Sequence, residues 1–133
     1  MAHKIKYIYV VTTVRFGYKW SSKRRNADGI YHSYRKQTHP NQHKHFTIID
    51  KRTWGWFSEL KDAKRAIKEN WADMYEGDYE YAVIEKTAEG ILHGGRLPRE
   101  WWFKWEGSWE KGGYKPGDFK PQEYHNVIGF GLG

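Results

Sequence analysis

The sequence predicts an α+β fold: an antiparallel-rich β-sheet of about six strands with one main helix packed on one face. Several segments are rich in Val, Ile, Thr and aromatic residues, which favour strands. Short turns join most of them, which favours antiparallel pairing. A single stretch shows the apolar spacing of an amphipathic helix. The 133 residues fit a single domain, residues 1–133.

The first predicted strand covers residues 5–14 and is apolar on both faces, which is typical of a central strand. Segments rich in Gly, Pro, Ser and Asn predict loops at 16–29, 38–44 and 107–121, and Asp50 with Lys51 predicts a turn. The remaining strands are predicted at 30–34, 46–49, 53–57, 79–86, 91–93, 99–106 and 126–132.

One helix is predicted within residues 58–75. Its apolar stripe consists of Leu60, Ala63, Ile67, Trp71 and Met74, which recur at helical spacing. A serine before the stripe, Ser58, is the expected N-cap, and a glycine after it, Gly77, is the expected stop.

The strand at 99–106 has two different faces. Trp101, Phe103 and Trp105 alternate on one face and are expected to meet the core. Trp102 and Lys104 share the other face, which places a ring beside a cation and suits a ligand or a partner subunit.

Composition excludes several classes of protein. The chain has no cysteine, which rules out disulfides, thiolate zinc sites, iron–sulfur clusters and cysteine nucleophiles. No apolar run approaches the roughly 20 residues of a membrane span, and the first residues do not resemble a signal peptide. The expectation is therefore a protein of the cytoplasm without a membrane partner.

The charge distribution points to an anionic partner. The net charge is +7. Residues 1–66 carry 15 Lys and Arg against 4 Asp and Glu, whereas residues 67–133 carry 8 against 12. The chain also has 8 Trp and 10 Tyr, and such rings stack on planar ligands. Together these features suggest a ligand with charged phosphates and flat bases, and nucleotides are the obvious class.

No motif indicates catalysis. The sequence contains no Walker phosphate loop, no dinucleotide fingerprint and no nucleophile elbow. His45 and Thr47 match one half of a two-His–Thr phosphoesterase pattern, but the second half is absent. His39 and His43 complete a histidine cluster with His45, which is interpreted as a solvated loop because no nearby carboxylate completes a metal site. The sequence predicts a binder with no catalytic residue, no metal and no cofactor.

Three pairs, each a cation close to a ring, form the candidate ligand site. Guanidinium and ammonium groups bind phosphate oxygens, and exposed rings stack on bases. The cations are Arg15, Arg52 and Lys104, and the rings are Phe16, Trp54 and Trp102.

Four segments give the chain a family resemblance. They lie at 7–17 (YIYVVTTVRFG), 81–86 (YAVIEK), 102–105 (WFKW) and 121–133, which ends in IGFGLG. In these segments the chain resembles the small phage proteins of the first Thoeris anti-defence type.

The resemblance implies a signal sponge that evades bacterial immunity in the host cytoplasm. Such proteins bind cyclic nucleotide signals, mainly cyclic ADP-ribose isomers and in some members cyclic oligonucleotides, and hold them without cleavage. It also implies a homodimer or larger oligomer. Three alternatives stay open: a basic, aromatic-rich nucleic-acid-binding protein, an inhibitor that docks on a host enzyme, and a phosphodiesterase.

Overall fold

The computed structural model describes residues 6–22, 31–32, 42–88, 99–108, 110–124, 126 and 128–129. These residues form six strands, one α-helix and one 3-10 segment, which lies at Trp71–Gly77. The strands are β1 (Tyr7–Ser22), β2 (Tyr31–His32), β3 (Gln42–Phe57), β4 (Tyr81–Ala88), β5 (Arg99–Glu106) and β6 (Gly113–Gly117), and the helix is α1 (Leu60–Lys68). The predicted α+β fold, with one main helix on an antiparallel sheet, is confirmed.

The strands form one sheet in the order β3–β1–β4–β5–β6, and every pairing is antiparallel. The short strand β2 pairs with the outer half of β1, beyond the residues that pair with β4. The long strand β1 is therefore the centre of the sheet, as its two apolar faces predict. Val10, Val11 and Val14 are completely buried there.

The connection between β1 and β3 differs from the prediction. Residues 16–22, which were expected in a loop, continue β1, and β3 runs without a turn through Asp50 and Lys51. The two strands pair along fourteen residues of β1, so their ladder overrides the local preference for a turn. The register shifts at two places, where Ile49 and Trp54 are extra residues in β3. Such bulges let a long strand bend without ending.

The helix is shorter than predicted. It begins after Glu59 rather than after Ser58, and it ends at Lys68. Asn70, Ala72 and Asp73 then take left-handed backbone conformations with φ of 55°, 58° and 56°, which turns the chain into the 3-10 segment. Asn tolerates this conformation better than most residues, and its side-chain Oδ1 accepts the backbone N–H of Tyr75 at 2.7 Å.

Two apolar clusters lie on opposite faces of the sheet. The first lies under α1 and includes Ile67, Met74, Ile84 and Phe103. Trp101 and Trp105 pack against it, so the predicted core face of β5 is confirmed. The second cluster lies on the other face, where a C-terminal segment covers the sheet. Its buried members are Val14, Phe16, Val83, Trp102 and Ile128.

The C-terminal segment comprises the described residues from 118 onward (118–124, 126 and 128–129). Of the strand expected at 126–132, only residues 126, 128 and 129 are described, and these three are not in a strand. The predicted loop at 107–121 contains β6. The strand expected at 91–93 lies outside the described residues. Within the part of the chain that is described, no helix is long and apolar enough to cross a bilayer.

Candidate functional site

Two arginines of the predicted site are neighbours on the helix-bearing face of the sheet. Thr13 lies opposite Arg52 across the β1–β3 ladder, and Arg15 lies opposite Asp50. Residues two apart on a strand share a face, so Arg15 and Arg52 are diagonal neighbours on it. The ladder thus brings together two cations that are 37 positions apart in the sequence.

The side chain of Arg15 contacts the turn that precedes β4. Its Nη2 donates a hydrogen bond to the backbone carbonyl of Asp78, and its guanidinium carbon lies 5.4 Å from the centre of the Tyr79 ring. Asp78 has a left-handed backbone with φ of 55°. The turn before β4 therefore presents both a carbonyl and a ring to the same guanidinium.

Arg52 and Trp54 form a stacked pair, as their shared face predicts. The guanidinium carbon of Arg52 lies 4.1 Å from the centre of a Trp54 ring. The Trp54 Nε1 donates to the hydroxyl of Thr13 at 2.6 Å, and the indole packs against the cluster under α1. Trp54 is therefore fixed in orientation, while Arg52 remains exposed and can meet an anion.

A pocket of about 390 Å³ lies beside Arg15. It contains two predicted cations from different strands, Arg15 of β1 and Lys104 of β5. The Lys104 Nζ lies 5.9 Å from the centre of the Tyr81 ring. The other lining residues are Phe16, Asp78, Tyr79, Glu80 and Trp105.

The electrostatics of the pocket combine both signs of charge. Burial raises the pKa of the Tyr79 hydroxyl, and the hydrogen-bonding carboxylate of Asp50 raises it further. The guanidinium groups of Arg15 and Arg52 act on the same hydroxyl in the opposite direction. Tyr79 therefore stays protonated at neutral pH and is a neutral hydrogen-bonding group between two cations and a carboxylate.

The other two predicted rings lie in the core. Phe16 is 7% exposed and stacks on Phe46, with ring centres 5.3 Å apart and planes 7° apart. Trp102 is 6% exposed, and its Nε1 donates to the Glu100 carboxylate at 2.8 Å. The expectation that Trp102 lies on an open face is corrected, because the C-terminal segment covers that face. Both rings thus contribute mainly to packing, although Phe16 also lines the Arg15 pocket.

Four residues of the pocket are not predicted site residues: Asp78, Tyr79, Glu80 and Trp105. The sequence pattern places Tyr79 at the start of a strand. It assigns Trp105, although adjacent to Lys104, to the core face of β5. The contact of Tyr79 with Arg15 depends on the turn before β4, which no local pattern reveals.

The histidine cluster is described only in part. The backbone of His43 and His45 belongs to β3, where a solvated loop was expected up to residue 44, and His39 lies outside the described residues. In the described part of the chain, no group of three His, Cys, Asp or Glu side chains could hold a metal ion.

Searches against protein-family models, curated proteins and solved structures find no match for this chain. The family, the ligand and the activity therefore remain predictions from the residues and from the pocket they form.

Proposed function

We propose that this protein binds a cyclic nucleotide immune signal, of the cyclic ADP-ribose isomer class, in the Arg15 pocket and sequesters it without cleavage. The observation that carries the proposal is that two predicted phosphate-binding cations from different strands, Arg15 and Lys104, line one pocket. Arg52 is not part of this lining, but it is the diagonal neighbour of Arg15 across the β1–β3 ladder.

The size and chemistry of the pocket suit this ligand class. Its volume of about 390 Å³ falls within the range of roughly 300–1,000 Å³ that is usual for small-molecule sites. Guanidinium groups bind the paired oxygens of a pyrophosphate. The carboxylates of Asp78 and Glu80 suit ribose hydroxyls, which commonly donate to Asp or Glu in nucleotide sites. Trp105 supplies an aromatic wall for a base.

Sequestration requires affinity rather than reactivity. A sponge lowers the free signal by mass action and needs no group that attacks the ligand. The absence of a nucleophile motif in the sequence and the family resemblance support this reading over that of a phosphodiesterase. In the proposed setting the protein is made by a phage and acts in the cytoplasm of the bacterial host.

The decisive experiment combines calorimetric titration with recovery of the ligand. The protein is titrated with cyclic ADP-ribose isomers, a cyclic dinucleotide and linear ADP-ribose, then heated, and the released compound is identified by mass spectrometry. The proposal expects tight binding of a cyclic ADP-ribose isomer and its release intact. A shortened product would replace it with a phosphodiesterase. Preferred binding of oligonucleotides with a steep loss of affinity in salt would instead indicate nucleic-acid binding.

A matched pair of variants tests whether Arg52 contributes to ligand binding. Arg52→Gln removes an exposed guanidinium that stacks on Trp54, and Arg99→Gln removes an exposed guanidinium that stacks on Trp101, 4.9 Å from its ring centre. A charge-assisted contact with phosphate contributes about 1.5–3 kcal/mol, so Arg52→Gln should weaken binding about tenfold or more. Arg99→Gln should leave it unchanged. Equal losses in both variants would mean that only overall charge matters.

The proposal includes a homodimer or larger oligomer, which rests on the family resemblance. The face of β5 that carries Trp102, which by its sequence suits a partner subunit, does not support an oligomer, because the C-terminal segment covers this ring. Light scattering at micromolar concentration, with and without ligand, tests the assembly directly. A monomer under both conditions would remove this part of the proposal and leave the ligand site standing.

A further inference from the structure

A second and larger cavity lies between α1 and the β5–β6 edge of the sheet. Its volume is about 630 Å³, which is well within the range of small-molecule sites. Trp101 and Phe103 of β5 contribute aromatic walls, and Ile67 of α1 contributes an aliphatic one. Pro116 of β6 lies opposite Phe103 in the ladder and extends the apolar lining.

The cavity lies beside α1 and is separate from the Arg15 pocket. The helix contacts β1, β3, β4 and β6, and it ends at Lys68. The chain that follows packs Tyr75 against Trp105 of β5 and Tyr114 of β6. The residues that line this cavity and those that line the Arg15 pocket do not overlap.

Lysines outnumber carboxylates at the border of this cavity, although Lys68 also interacts with the neighbouring carboxylate of Glu69. Lys64 and Lys68 are four residues apart on α1, so they lie on one side of the helix. Lys115 of β6 also lines the cavity, but it pairs with Lys104, so its side chain leaves the sheet on the face opposite to Phe103. None of the three forms a salt bridge among the described residues. Of the two lining carboxylates, Glu100 is already paired with Lys120 at 3.2 Å and accepts the Trp102 Nε1, which leaves Asp118 as the opposing charge.

We propose that this cavity binds a small aromatic molecule that carries one anionic group. The aromatic body would lie against Trp101 and Phe103, and the anion would meet Lys64 and Lys68. Burying an apolar ring system gains free energy roughly in proportion to its area, and a paired ammonium adds orientation. The charge complementarity of the border favours an anion over a neutral ring of the same size.

The test uses anilinonaphthalene sulfonate, a fluorescent aromatic monoanion, and its uncharged analogue N-phenylnaphthylamine. Titration of the folded protein should show saturable binding of the sulfonate at one equivalent. Backbone amide shifts in a nuclear magnetic resonance titration should map to α1, β5 and β6. The uncharged analogue should bind about tenfold more weakly, because it lacks the charge-assisted contact.

Two double variants with the same change in charge separate the site from overall electrostatics. Lys64→Gln with Lys68→Gln alters the cavity border, whereas Lys61→Gln with Lys111→Gln alters exposed lysines that do not line it. The first pair should weaken sulfonate binding about tenfold, and the second should leave it within about twofold.

Shifts that map to the Arg15 pocket, the absence of saturable binding, or equal effects of the two double variants would each overturn the proposal. An excess of the cyclic nucleotide should not displace the sulfonate, since the two cavities are separate, and displacement would count against a second site. This proposal stands or falls independently of the nucleotide proposal, because its probe and its variants are different.

Discussion

Replacing Glu85 with Gln should remove the pH dependence that this carboxyl group contributes to the free energy of unfolding. Glu85 is 3% exposed on the face of β4 that the C-terminal segment covers. Its carboxylate accepts the backbone N–H groups of Ile128 at 3.1 Å and Gly129 at 3.0 Å. Glu100 lies directly opposite in the ladder, and the Lys51 Nζ donates to the Ile128 carbonyl at 2.8 Å. One carboxyl group thus links the sheet to the C-terminal segment.

The environment of Glu85 favours its neutral form. Burial raises the pKa from 4.5 to about 7, the negative charge of Glu100 adds to the rise, and the two N–H groups and Lys51 oppose it. The folded protein therefore holds a proton that the unfolded chain releases. The contribution of this raised pKa to the free energy of unfolding is fully present below about pH 4.5. It is lost as the pH rises through about 7. A difference of this size corresponds to about 2.5 kcal/mol between pH 5 and pH 8.

Urea unfolding at several pH values between 5 and 8 measures this contribution. The quantity that matters is the difference in unfolding free energy between the wild type and Glu85→Gln at each pH, because titrating groups that do not interact with Glu85 cancel in it. This difference should fall by about 2.5 kcal/mol from pH 5 to pH 8. Placing the amide of the Glu85→Gln variant against the N–H groups of Ile128 and Gly129 also costs stability. This cost is the same at every pH, so it does not change how the difference varies with pH.

A matched control is Glu106→Gln, which neutralises an exposed carboxylate on β5. Its difference from the wild type should stay nearly flat over the same pH range. A flat difference for Glu85→Gln as well would refute the reasoning, since it would mean that Glu85 titrates alike in the folded and unfolded chains.

Two further predictions concern the elements that shape the two cavities. Ile128→Ala should destabilise the fold by about 2–5 kcal/mol in urea unfolding, because the side chain is 3% exposed against Val14 and Trp102, whereas exposed Glu123→Ala should have little effect. Asn70→Ala should cost about 1–3 kcal/mol by thermal unfolding, since alanine strains the left-handed backbone and leaves the Tyr75 N–H without its acceptor. Asn70→Gly should cost less, and an equal loss in both would assign the effect to the hydrogen bond alone.

The sequence was most informative where local pattern and tertiary environment agree. The bounds of β5 were predicted correctly, and so was its core face, because alternating large rings specify a strand with one buried side. The central position of β1 followed from its two apolar faces. The turn expected at Asp50 and Lys51 did not form, since pairing with β1 along β3 satisfies the backbone better than a local turn does.

The candidate site was predictable in its chemistry but not in its geometry. A cation close to a ring can be read from the sequence, and Arg52 with Trp54 does form the expected stacked pair. Which pairs share a pocket depends on strand register, and the register of β1 against β3 contains two bulges. Arg15 meets Lys104 in one pocket because β4, which lies between their strands, begins only at Tyr81.

The case of Trp102 shows why alternation alone cannot identify an open face. Period-two spacing correctly places Trp102 and Lys104 on the side of β5 opposite to Phe103, but it says nothing about what covers that side. That side is covered by residues of the C-terminal segment, such as Phe119 and Ile128, which lie at least fifteen positions after Trp102 in the sequence. They are held by Glu85 and by the Lys120–Glu100 ion pair. Lys104 escapes this cover because it lies nearer the end of the sheet where Arg15 and Tyr79 form the pocket. The same strand therefore supplies one residue to the core and, two positions later, one residue to the proposed ligand site.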